Sequence, residues 1–141
     1  MIDIENMVLD LVATGVATAD PSVNVTSAFV EEAATFPCIT VRQKNSIPVK
    51  RMNTADSAEN YTTVTIEITA YSDKQNKSQS ECRKLLNLVD GIITGKGFER
   101  IYLSEAFNVN RTITRRYARY RAIIRAPYKI GDDTVYEVYR R

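Results

Sequence analysis

The sequence predicts an α+β domain, a mostly antiparallel sheet with two helices packed on one face. Three observations carry that prediction. Residues 61 to 72 alternate apolar and polar side chains with a period of two, the pattern of a strand covered on one side. In the stretch ending at Gly95, Cys82, Leu85, Leu86, Val89, Ile92 and Ile93 recur at spacings of three and four, one stripe of an amphipathic helix. Residues 112 to 139 read as two strands joined at the turn signal Gly131-Asp132-Asp133. Strands and helices that follow one another without strict alternation form a sheet with its helices segregated to one face.

At 141 residues and 44% apolar, the chain is expected to form one domain over its whole length, burying roughly two thirds of its unfolded surface. Histidine is absent, and Cys38 and Cys82 stand far apart, outside any metal-ligand or disulfide-framework spacing. No apolar run approaches the length of a membrane span and the N-terminus carries Asp3 and Glu5 instead of a basic segment. Neither a signal peptide nor a membrane partner is expected. The four Asn-x-Ser/Thr triplets, at Asn24, Asn60, Asn76 and Asn110, matter only in a secretory pathway and are read as chance. Net charge is +2, but residues 1–35 hold six acids and no base, whereas residues 96–141 hold eleven bases and five acids. Such polarity suits copies that meet acidic side to basic side, and equally a monomer facing an anionic partner.

Taken in order, a first helix is predicted from Glu5 to Ala13, with Ile4, Met7, Val8, Leu11 and Val12 on one stripe. Asp3 suits the N-cap, Ile2 and Met7 a hydrophobic staple, and Gly15 the end. Asp20-Pro21 marks a turn before a short strand at Val23 and Val25, and residues 28–37 read as coil. Cys38 to Lys44 is a strand with Ile39 and Val41 inward, paired with the 61–72 strand. Between them Asn45 to Asn60 reads as a long loop, either a partner-contacting arm or a hairpin tip, with Lys50, Arg51, Met52 and Asn53 as its docking residues. In the long strand Val64, Ile66, Ile68 and Ala70 face inward; Ser78 with Glu81 resembles a capping box for the second helix, and Gly95 and Gly97 stop it. A strand starts near Phe98 and runs to Leu103.

The strand from Thr112 to Ala126 is the most unusual stretch. Thr114, Ala118, Tyr120, Ala122, Ile124 and Ala126 share one parity with Arg116 and look buried; Arg115, Tyr117, Arg119, Arg121, Ile123 and Arg125 share the other. Three readings of this arginine ladder remain open. Arg115, Arg116, Arg119, Arg121 and Arg125 can bind phosphates, with Tyr117 or Tyr120 stacking on a base. They can pair with carboxylates of a neighbouring subunit, for which Asp3, Glu5 and Asp10 offer a surface. Or they keep a strand face soluble.

Catalytic signatures are missing. Histidine is absent, Gly95-Lys96-Gly97 is too short for a phosphate loop, and Asp56, Glu59 and Glu67 near Lys74 match no defensible metal-nuclease spacing. Cys82 lies on the apolar helix stripe and reads as an inert thiol. No enzymatic activity, cofactor, catalytic residue or metal site is expected.

The order of elements resembles a family. The first helix, Phe36-Pro37 leading into Ile39-Thr40-Val41, the polar loop, Val64 to Ile68, the helix ending Ile92-Ile93, Gly97-Phe98 and the Arg/Tyr-rich strand near Arg116-Tyr117 look like the tail terminator, or tail-completion, proteins of tailed bacteriophages. The resemblance covers most of the chain and rests on element order instead of a sharp motif. It implies a virion protein of the tail and neck, assembled in the host cytoplasm as a six-membered ring of identical subunits. Its expected partners are the tail tube protein, the head–tail connector and DNA passing through the lumen. Another neck component, or a small nucleic-acid-binding domain, is the alternative.

Overall fold

The computed structural model describes residues 4–27, 36–49, 61–73, 77–105, 113–130 and 133–138, with the backbone alone for 104–105, 126–130 and 133–136. Its elements are α1 (Glu5–Ala19), β1 (Asn24–Thr26), β2 (Cys38–Pro48), β3 (Tyr61–Ser72), α2 (Ser78–Thr94), β4 (Glu99–Glu105), β5 (Thr114–Ile130) and β6 (Asp133–Val138). The six strands form one sheet, five of them in the order β1-β2-β3-β5-β4 with β6 also paired to β5, antiparallel except for β1 on β2. The α+β expectation holds, with both helices against the sheet face that carries the core.

β3 and β5 make the centre. Val64, Ile66, Ile68 and Ala70 face Ala122, Tyr120, Ala118 and Arg116 across the ladder; all but Arg116 are buried against the helices. β5 spans 17 residues: β3 pairs with one edge over Thr114–Arg125, while β4 and then β6 share the other, at Arg116–Arg121 and Ile124–Ile130. α2 lies over β3, β5 and β4 and buries Cys82, Leu85, Leu86, Val89 and Ile93, the stripe its spacing predicts, with Ile92 half-buried against α1. The Cys82 thiol donates to the carbonyls of Ala70 and Thr114 at 3.5 Å, and burial pushes its pKa up to about 11. That describes an unreactive thiol.

Several boundaries differ from expectation, each for a tertiary reason. α1 continues past Gly15 to Ala19, because the missing side chain lets α2 approach: a Cβ there would stand 2.5 Å from Ile92 Cδ1. Asp3 lies outside the described residues, and Ile4 takes the N-cap without a side-chain cap. A clamp to β2 replaces that cap, since Gln43 Oε1 accepts from Ile4 N and Glu5 Oε2 accepts from Gln43 N, both at 2.9 Å. The clamp sits at a bulge, where Lys44 is the extra residue between Gln43 and Asn45. β2 then runs on to Pro48, paired with Thr65 to Thr62, so the first four residues of the expected loop are strand. Residues 50–60, including Lys50, Arg51, Met52 and Asn53, lie outside the described residues.

The capping box at α2 does not form. Ser78 Oγ hydrogen-bonds Thr114 Oγ1 at 2.6 Å and Glu81 Oε1 accepts from Ser72 Oγ at 2.8 Å, tying the first turn of the helix to β5 and β3. Gly97, at φ 99°, provides the left-handed turn that returns the chain into β4.

Candidate functional site

The arginine ladder lies on the sheet face away from the helices, and the register supplies each of three arginines with an acid. Arg119 stands opposite Glu67 of β3, Arg121 opposite Glu99 of β4, and Arg125 opposite Glu137 of β6. The contacts close at 3.0, 3.2 and 3.5 Å. Glu67 is also approached by Lys44 Nζ at 3.9 Å, so the bulge of β2 delivers a second cation to the same carboxylate. Cross-strand pairs of this kind on a wet face contribute about 0.2–1 kcal/mol each and weaken with salt. Tyr117 adds an aromatic contact, its ring 5.6 Å from that of Tyr102 and 5.6 Å from the Arg119 guanidinium carbon. A hydrogen bond with Tyr102 raises the Tyr117 pKa. Arg115 is half-buried, opposite Tyr71.

Arg116 does not belong to this ladder. Its parity turns it to the helix side, where Arg83 and Asn87 of α2, Arg100 and Leu103 of β4, and Leu86 and Tyr120 line the same pocket of about 200 Å³. Asp90 ties two of these residues together: its Oδ1 accepts from the Tyr120 hydroxyl at 2.9 Å and from Arg100 Nη1 at 3.3 Å. Burial, with this hydrogen bond second, pushes the Tyr120 phenol far up and keeps it a donor. Three arginines from three elements thus line one small concavity. Sequence reasoning missed Arg83 and Arg100. Two signals pointed there: Arg83 and Asn87 are one helical turn apart, and Arg116 is the one charged residue on a parity that otherwise looks buried.

The acidic surface divides as well. Glu5 is held by Gln43 in the α1–β2 clamp, whereas Asp10 is exposed at the rim of a groove of about 880 Å³ between α1 and the β5–β6 hairpin. Met7, Leu11, Phe98 and Val138 give that groove an apolar floor, and Lys96, Arg125 and Glu137 share the rim. Among the described residues no group of three or more His, Cys, Asp or Glu side chains is placed to hold a metal. No described helix is long and apolar enough to cross a membrane.

Charge runs across the sheet from edge to edge. Residues 4–27, which build α1 and β1, contain three acids and no base; residues 77–105 and 113–130, which build α2, β4 and β5, contain eleven bases against four acids. Comparison with known proteins adds no identity, since no protein-family model and no curated protein matches the chain.

Proposed function

We propose that this chain is a ring-forming structural subunit of a tailed bacteriophage, one that caps the tail tube, ends its polymerisation and joins it to the head. The observation that carries the reading is the edge-to-edge charge gradient, with acids alone on the α1–β1 side and a surplus of bases on the α2–β4–β5 side. A ring needs heterologous contacts, one patch meeting a different patch, and a subunit acidic at one edge and basic at the other carries two unlike patches. The element order that resembles the tail terminators supports the same reading. Among the described acids of the α1–β1 side, Asp10 is exposed while Glu5 and Asp20 are half-buried, which makes Asp10 the candidate for that contact. The outer ladder is a weaker candidate than its sequence suggests, because Arg119, Arg121 and Arg125 already face carboxylates of their own sheet.

Light scattering of the purified chain over a range of concentrations, at low and high salt, tests the proposal. A mass near six subunits at low salt that falls as salt rises is the expected result. A monomer under every condition, including in the presence of preformed tail tubes, overturns it. The alternative of a nucleic-acid-binding domain draws on the Tyr102–Tyr117 ring pair beside Arg119, and predicts salt-sensitive binding of short DNA by that monomer.

A further inference from the structure

We infer that the groove between α1 and the β5–β6 hairpin seats α1 of a second copy of this chain, in a contact that a two-fold axis makes reciprocal. The contact is separate from the head-to-tail ring and covers the same acid, Asp10, so a chain paired in this way is held out of the ring.

The shape of the groove points to a helix. Met7, Asp10, Leu11 and Thr14 line it at spacings of three and four, one face of α1 about two turns long. That face lies beside the stripe of Ile4, Val8, Val12 and Val16, which the subunit's own core uses up. Met7 and Leu11 are only half-buried, so the apolar arc of α1 is wider than its own fold covers. Phe98 and Val138 add apolar lining from outside the helix. A helix about 10 Å across fills roughly 400 Å³ per turn. The groove's volume of about 880 Å³ therefore holds two turns, the length of the α1 face that lines it.

Charge selects α1 as that helix. Its charged residues are Glu5 and Asp10. Glu5 is held by Gln43, which leaves Asp10 as the acid that α1 carries beside Met7 and Leu11. On the groove's rim, Arg125 and Glu137 pair with each other at 3.5 Å. Of the charged rim residues described, that leaves Asp10 and Lys96, both exposed and neither with an ion pair or side-chain hydrogen bond. A second α1 entering the groove brings its Asp10 toward this copy's Lys96, and the two-fold axis forms the same pair again at the other groove. A foreign helix would have to supply both a base and an acid; a second copy already carries both. Burial of the apolar stripe drives the association, and the paired charges fix its register.

Sedimentation velocity of the purified full chain over a range of concentrations and salt tests the contact, and separates a mass of two subunits from the ring's six. A dimer is expected, persisting at high salt because burial of Met7 and Leu11 is not screened. At low salt, Asp10→Lys and Lys96→Asp are each expected to weaken it about tenfold, since one reversal acts twice in a two-fold dimer. Both side chains are exposed, so neither substitution disturbs the core. The double variant Asp10→Lys/Lys96→Asp is expected to regain the original affinity, because each swapped residue meets its swapped partner. No mass of two under any condition overturns the inference and leaves the groove to another partner. Unaltered dimerisation in either single variant, or a double variant as weak as the singles, overturns it as well. A dimer without a ring supports this contact and counts against the proposed function alone.

Discussion

The two faces of the β3–β5 pair share strands, register and hydrogen bonds, and differ in everything their side chains do. On the helix side, Ile66 meets Tyr120 and Ile68 meets Ala118, all 0% exposed. One residue along, on the open side, Glu67 meets Arg119 and Thr65 meets Arg121, with Arg119 and Arg121 exposed. Removing apolar surface from water stabilises by roughly 25 cal/mol per Å², whereas an exposed ion pair gains little over its hydrated parts. One face therefore holds the fold together. The other settles its charges locally and leaves little over for a partner.

Breaking the buried face has the largest effect. Ile66→Ala is expected to lower the unfolding free energy by about 2–5 kcal/mol, measured by urea denaturation. A loss no larger than that of a surface substitution would erase the contrast between the faces. The buried thiol is next. Unfolded, Cys82 loses its proton near 9.0; folded, burial holds it to about 11, so rising pH favours the unfolded state across that interval. Thermal melts should show up to roughly 2–3 kcal/mol of stability lost between those values, and Cys82→Ala should remove that share of the loss. An identical pH slope in the variant would place the alkaline sensitivity elsewhere, with Tyr120 the next group to test. The open face gives the smallest effect: Arg119→Ala is expected to cost less than about 1 kcal/mol at low salt and less still at high salt. A cost that persists in high salt would mean that the Arg119–Glu67 pair carries more than surface electrostatics.

Local pattern made much of this architecture legible. The alternation in β3, the stripe of α2, the two parities of β5 and the pairing of β5 with β6 each lie within one element or one hairpin, where local pattern decides which way a residue faces. The arginines' partners were not legible, because Glu67 lies 52 residues from Arg119 and only strand order and register join them. The same holds for the pocket, whose three arginines come from α2, β4 and β5. Composition misled at Asn45–Pro48, the start of a stretch to Asn60 rich in Asn, Ser, Ala and charge that reads as loop, yet these four residues pair because β3 presents main-chain partners there. Gly15 misled likewise: a helix stop by propensity became a point of close approach, where Ile92 of α2 packs over the bare backbone of α1.

β5 lies between β3 and β4, although it follows both in the chain. During synthesis the ribosome therefore releases β3 and β4 before either has the neighbour that separates them in the finished sheet. Until residues 114–130 arrive, β4 has no strand to pair with and β3 keeps an open edge. Insertion of a late strand between two early ones raises contact order and makes folding a closing step instead of a gradual build-up. The interval before that closure is when the nascent chain is most exposed to mispairing with its own copies, and when a chaperone would have the most to protect.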